Sequence, residues 1–211
     1  GAKQGDASAA LDGSVLNPGY IHVPPLLLNA QTTITLWMKW NLVSSRDTDN
    51  QKILHFSIPG QTSSMTIARK IQTRQVRFGM QFTGGIKRCD IPFPENLEFQ
   101  DDTWYHIAWV IDGEQGWKCF LDSKEETTYA CNFPPETTAY TSNYVGGQKD
   151  ADNMIDTFDG NVDDFRIYKT ALTASDVLAI FKGVIPVFAH TCVGCVAGKY
   201  KTASGVQACI N

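Results

Sequence analysis

The chain has 211 residues, 43% hydrophobic, 11% aromatic and 19% charged, with a formal net charge of -4 from 22 acids against 18 bases. That is too apolar and too sparsely charged for a disordered chain, and so small a charge gives no electrostatic basis for a nucleic-acid partner. No apolar run reaches the ~20 residues of a membrane-spanning helix; the longest, Ile180 to Ala189, is broken by Lys182, Gly183 and Pro186.

In chain order, short stretches rich in Thr, Ile, Val, Trp, Tyr and Phe recur between clusters of Gly, Pro, Asn and Asp, which is the pattern of strands and turns. They are Thr32–Trp40, Lys52–Ile58, Ser64–Ile67, Gln75–Phe82, Trp104–Ile111, Trp117–Leu121, Thr127–Cys131 and Asn161–Tyr168. In the first, the period of two places Ile34, Leu36, Met38 and Trp40 on one face and Thr33, Thr35, Trp37 and Lys39 on the other. Successive short strands with almost no helical periodicity predict a sandwich or a barrel.

One helix is expected near the C-terminal end, over Ala171–Gly183. Thr173 is placed as its N-cap, with Asp176 at capping-box spacing. Val177, Leu178 and Phe181 form a narrow apolar stripe, and Lys182 and Gly183 suit the C-terminus. So short a helix must dock on the β-structure to be stable. From Val184 the texture changes. Cys192, Cys195 and Cys209 fall within eighteen residues, whereas the preceding sixty contain no cysteine. The organisation expected is one β-domain over residues 1–183 and a linker with a Cys-rich segment over 184–211.

Several segments resemble, in order, the laminin G-like, concanavalin A-like jelly-roll family. Ala10-Leu-Asp-Gly-Ser14 and Tyr20-Ile-His-Val23 are similar to its first strands, and Thr33-Ile-Thr-Leu-Trp-Met-Lys39 to its "ftisaWvk" strand. Thr103-Trp-Tyr-His-Ile-Ala108 resembles "WhhvA", and Cys119-Phe-Leu-Asp-Ser123 resembles "lyvDG". Tyr144-Val-Gly-Gly147, Phe158 to Tyr168 and Ala171 to Val177 resemble the closing blocks. The resemblance implies an all-β, two-sheet antiparallel jelly-roll sandwich with one short C-terminal helix and a small Cys-rich tail. It implies little about activity, because one fold hosts many functions. Cys192 to Cys209 resembles the start of a Cys-rich growth-factor-receptor-like module, C-x-x-C-x-x-G-x-Y-x-x-x-x-G-x-x-x-C, of the ephrin-receptor type. Such modules come in tandem on extracellular proteins, so further modules are expected C-terminal to it.

The module implies a Cys192–Cys209 disulfide and leaves Cys195 for a partner further along. A zinc reading of Cys192-x-x-Cys195 lacks a second ligand pair. In the β-domain, Cys89 and Cys131 precede prolines at strand ends and are the favoured pair. Cys119–Cys131 is the alternative, and three inert core thiols in a cytosolic protein remain a third reading. The tail beside this body points to an extracellular or cell-surface location.

Glycanases on this fold set two carboxylates on one sheet face. A strand supplies that only at even spacing, and none here does: Glu125–Glu126 and Asp163–Asp164 are adjacent. No Gly-x-Ser-x-Gly or His-Glu-x-x-His motif occurs, and His106 reads as a packed strand residue. A non-enzyme is expected.

Calcium is the expected cofactor, since Asp150, Asp152, Asp156, Asp159, Asp163 and Asp164 crowd one segment. The family resemblance implies a structural calcium ion between Asp163 and the Asp12–Gly13 segment. A rim site is expected where Asp47 and Asp49 meet Asp150 and Asp152, with Asn153 beside it as a ligand contact. Trp109 and Trp117, which depart from the smaller residues usual in the family, are the candidate sugar-stacking rings. The function expected is recognition of a glycan or an extracellular protein partner. A structural adhesion spacer is the alternative, and a glycan-active enzyme the third reading.

Overall fold

The computed structural model describes residues 9–11, 19–41, 50–69, 76–82, 85–91, 100, 102–126, 138–150 and 153–184. In chain order its elements are β1 (Ala9–Leu11), β2 (Ile21–Val23), β3 (Leu26–Leu28), β4 (Gln31–Trp40), β5 (Lys52–Ser57), β6 (Ser64–Arg69), β7 (Val76–Phe82), β8 (Gly85–Ile91), β9 (Trp104–Asp112), β10 (Gly116–Leu121), β11 (Lys124–Glu125), β12 (Thr138–Tyr140), β13 (Ser142–Val145), β14 (Gln148–Asp150), β15 (Asn153–Ile155), β16 (Gly160–Tyr168) and the helix α1 (Ala174–Phe181).

Two six-stranded antiparallel sheets carry the fold. The first has the order β1-β16-β4-β9-β10-β11, the second β2-β13-β5-β6-β7-β8; β3 with β12 and β14 with β15 form small ribbons. The alternation read in β4 decides what each face meets. Ile34, Leu36, Met38 and Trp40 point between the sheets and are at most 2% exposed. There they meet Ile67 and Phe78 of the second sheet and Ile107, Trp109 and Leu121 of their own. This expected two-sheet sandwich is the architecture observed. The edge strand β8 had no sequence signal. Its Lys87, Arg88 and Asp90 interrupt any apolar pattern, as edge strands do to discourage further pairing.

The outer face of the first sheet is closed by α1. Thr173 accepts the Asp176 amide and the Asp176 side chain returns to the Thr173 amide, so the expected capping box is present. The stripe differs by one residue from expectation: Val177 and Ile180 are buried, while Leu178 is 38% exposed. Val177 and Ile180 pack on Ala108, Val110, Phe120 and Leu172. Each such side chain contributes roughly 1.5–3 kcal/mol by leaving water. Phe181 stacks on Trp37 at 5.4 Å, and His106 lies 5.2 Å from the same indole. Thr33 Oγ1 ties the chain entering the helix to the sheet, donating to the Thr170 carbonyl and accepting the Leu172 amide.

Two features fix β16. Gly160 approaches β4 so closely that a Cβ there would lie 2.1 Å from the Lys39 carbonyl oxygen, which only glycine avoids. Further on, the register slips between Asp163, opposite Trp37, and Arg166, opposite Thr35. Asp164 forms this bulge with φ 48, a left-handed conformation that Asp tolerates better than most residues. The extra residue inverts the simple alternation. Val162 faces the core, Asp163 faces outward beside Trp37, and Phe165 and Ile167 turn inward again. Asp163 therefore does not share a face with Phe165 and Ile167, as an unbroken strand requires.

Candidate binding groove on the second sheet

Among the described residues, no element covers the outer face of the second sheet. This face forms the floor of a groove of about 910 Å³, bordered by the turn Pro59–Thr62 and by β14. Strand register arranges its side chains in rows that cross the strands. The middle row runs His22–Tyr144–His55–Thr66–Gly79. On one side lies the row Ser142–Ser57–Ser64–Gln81–Ile86. On the other, Lys52, Ala68 and Arg77 face one another across β5, β6 and β7. With strands ~4.8 Å apart, the middle row spans roughly 19 Å over four inter-strand steps.

The rows are polar, and among the described residues no second layer covers them. His55 is 7% exposed, and its Nδ1 lies 2.9 Å from Thr66 Oγ1, either atom donating. Burial, and secondarily the charge of Lys52, push the His55 pKa down to about 3. The imidazole is therefore neutral at physiological pH and offers one donor and one acceptor. Lys52 is held in an ion pair with Asp156 at 3.0 Å and donates to Gln148 Oε1. Tyr144 is met on its far side by His22, the rings tilted at 37° with centroids 5.2 Å apart. Gly79 leaves the row open beside Thr66, as a strand glycine does where another molecule approaches closely. Asp150 is the one carboxylate among the described lining residues.

The residues singled out by sequence fall in quite different places. Trp109 and Trp117 are 0% and 3% exposed, edge to face with each other at 5.0 Å, and Phe78 of the opposite sheet meets Trp109 at 5.4 Å. They join the two sheets in the core and present no ring to a ligand. The expectation that they stack on sugars is corrected: their side of β9 and β10 is the inner one. Asp150 and Asn153 pair across the β14–β15 ribbon, and Asp150 borders the groove. Asp47, Asp49 and Asp152 lie outside the described residues, as do Asp12, Gly13, Cys131, Cys192 and Cys209. Cys89 lies in β8, opposite Phe78. Cys119 is buried in the core.

Asp163 has local partners in β16, while Asp12 and Gly13, the other members of the expected structural calcium site, lie outside the described residues. Asp163 Oδ1 accepts the Asp164 amide at 2.7 Å, and Asp164 is itself paired with Arg166 at 2.6 Å. β1 faces β16 at Ala9–Val162 and Leu11–Gly160. Among the described residues, no three His, Cys, Asp or Glu side chains are grouped to hold a metal ion.

Sequence reasoning missed His55, Thr66 and Tyr144 because they come from three strands and meet only through register. A signal was present in the polar positions alternating with apolar ones along β5 and β6.

Residues 16–178 match the concanavalin A-like lectin/glucanases superfamily, in its laminin G group. The chain belongs to this family. The match ends before the Cys-rich segment, which also lies outside the described residues. No curated protein sequence matches the chain. Solved structures share its fold at low identity. A heptameric SAP-like pentraxin from Limulus polyphemus superposes with a TM-score of 0.61 at 17% identity, covering 82% of this chain and 80% of that one. Domain 4 of a GH43 extracellular arabinanase from Geobacillus stearothermophilus, in complex with arabinotriose, gives 0.61 at 21% identity, covering 85% and 79%. The CBM40 domain of the IT-sialidase of Ruminococcus gnavus, bound to alpha2,3 sialyllactose, gives 0.56 at 13% identity, covering 76% and 98%. No described helix is long and apolar enough to cross a membrane.

Proposed function

We propose that this domain is a non-catalytic glycan-recognition module of an extracellular or cell-surface protein, and that the groove on the second sheet is its binding face. The observation that carries this is the row His22–Tyr144–His55–Thr66–Gly79 flanked by Ser57, Ser64 and Gln81. Sugars present hydroxyl groups around rings with apolar faces. A row of hydroxyl and amide side chains reads the first, and aromatic side chains take the second. The neutral His55 offers its second ring nitrogen to a sugar hydroxyl at any pH above its own titration. Lys52 is engaged by Asp156, while Arg77 and Lys149 also line the groove, so acidic as well as neutral sugars suit its charge. Among the described lining residues Asp150 is the one carboxylate and forms no acid–nucleophile pair, which favours binding over hydrolysis. The fold neighbours that carry arabinotriose and sialyllactose support the ligand class.

A glycan array with the folded domain tests this. Binding to a defined set of glycans, weakened by His55→Ala and Thr66→Val without loss of folding, is the expected result. A folded domain that binds none of them acts instead as a structural spacer. Turnover of a polysaccharide, lost on Asp150→Asn, overturns the non-catalytic assignment.

A further inference from the structure

The middle row does not stop at the groove. Tyr144 borders the groove and is also the centre of an aromatic cluster at the sheet's edge. His22 of the edge strand β2 lies against it at 5.2 Å, and Tyr20, just before β2, meets it edge-on at 5.6 Å and 71°. Tyr20 is 48% exposed, although Tyr144 beneath it is only 9% exposed. A Tyr ring packed on a second ring yet left half in water has one apolar side and one wet side, the property for which Tyr is enriched at interfaces. Among the described residues β2 has a neighbour on one side only, β13.

We infer that Tyr20, supported by Tyr144 and His22, is an outer stacking subsite, and that the groove takes an internal stretch of a linear glycan rather than a single terminal sugar. This rests on the glycan reading of the groove and extends it in one direction. A chain lying along the middle row crosses the strands, with hydroxyls against Ser57, Ser64 and Thr66. It leaves the sheet over β2, where one more ring covers Tyr20. The roughly 19 Å of the row from Gly79 to His22 exceeds the length of one sugar ring. Short glycans therefore fill the His55 end alone, and only longer ones reach Tyr20. Because the ring of Tyr20 is prepositioned by Tyr144, little side-chain freedom is lost when it is covered.

The test is calorimetric titration with size-graded linear arabino-, xylo- and cello-oligosaccharides, from disaccharide to octasaccharide. The wild-type domain should gain affinity with length and then reach a plateau. Tyr20→Ala should remove only the last gain, roughly three- to tenfold, and leave the shorter chains unchanged. Tyr20→Phe should keep that gain, because the ring and not the hydroxyl makes the contact. An equal loss at every length, or none at any length, overturns the subsite while leaving the groove assignment intact. No binding of any chain to the folded wild type overturns both. Wild-type binding of chains that His55→Ala leaves unaffected overturns the groove assignment and, with it, this extension.

Discussion

The two sheets of this sandwich share a core but finish their outer faces in opposite ways. On the first sheet, Trp37, Ala108, Val110 and Phe120 face outward and are apolar. They are sealed by α1, with Phe181 on Trp37 and with Val177 and Ile180 on the rest. On the second sheet, the equivalent outward positions are Ser57, Ser64, Thr66, His55 and Tyr144, and no described element covers them. A strand face tolerates either finish, because burial contributes only where a partner exists to exclude water. One face was therefore built for stability and the other left available for contact. Substitutions should separate along the same line, affecting folding on the first face and affinity on the second.

The largest effect is expected from Trp37→Ala. Trp37 is 3% exposed and touches both Phe181 and His106. Its truncation should cost about 3–5 kcal/mol in urea unfolding, as for other buried Trp side chains. Ser64→Ala on the groove face should change stability by less than about 0.5 kcal/mol. It should nevertheless weaken glycan binding by roughly three- to tenfold. If Ser64→Ala unfolds the domain, or Trp37→Ala leaves its stability intact, the two faces are not divided in this way.

Each face also holds one buried histidine, and acid should distinguish them. Burial, then the charge of Arg166, lowers the His106 pKa to about 4, and His55 is lowered to about 3. An unfolded chain takes up both protons near pH 6.5. Above that pH both rings are neutral in either state, and the stability term is fully present. As pH falls below about 6.5, the unfolded state gains protons that the folded state refuses, so stability declines until the folded pKa is passed. For His106 the loss amounts to about 3 kcal/mol at pH 4 and below. His106→Gln should remove one proton from the slope of unfolding free energy against pH and leave glycan affinity unchanged. His55→Gln should remove a proton from the same slope and weaken binding too. Equal slopes in the wild type and His106→Gln would show that His106 is not held neutral.

How far the sequence showed this division differs between the faces. The first sheet was legible: β4 alternates cleanly, the helix carries its own cap signals, and Trp37 sits in a signature position. The core was legible as apolar but not as oriented. Trp109 and Trp117 looked like ligand rings because a sequence gives alternation without saying which face is inside, and both faces of their strands carry large residues. The groove was hardly legible. Its row is assembled from β2, β13, β5, β6 and β7, whose residues are up to 122 positions apart, Tyr144 against His22. Polar residues on separate strands look like ordinary solvent-facing positions until the register aligns them.

A smaller effect comes from the helix that closes the first face. Thr173 Oγ1 accepts the Asp176 amide at 3.2 Å, and the Thr173 amide donates to Asp176 Oδ2 at 3.0 Å. Thr173→Ala should cost about 1 kcal/mol, with Thr173→Ser close to neutral. Groove binding should be unaffected by either. Coupling between this cap and affinity would mean that the helix and the groove communicate through the core.

The smallest effect is expected at Asp163, and it decides between two roles for one carboxylate. An ion bridging β16 to the N-terminal segment would stabilise the fold by RT ln(1 + [L]/Kd). Asp163→Asn would then abolish any fall in Tm caused by EDTA. The other role is local. Asp163 faces outward at the bulge and accepts the Asp164 amide, holding Asp164 at positive φ and resetting the strand so that Phe165 and Ile167 return to the core. Asn keeps an oxygen for that amide, so Asp163→Asn should be nearly silent. Asp163→Ala should lose about 1 kcal/mol through the unmade hydrogen bond. EDTA should shift Tm by the same amount in wild type and Asp163→Asn, including any contribution from carboxylates elsewhere at the rim. A shift seen in the wild type and absent from Asp163→Asn would return the calcium ion to β16. The bulge would then be a ligand-shaping turn and not only a change of face.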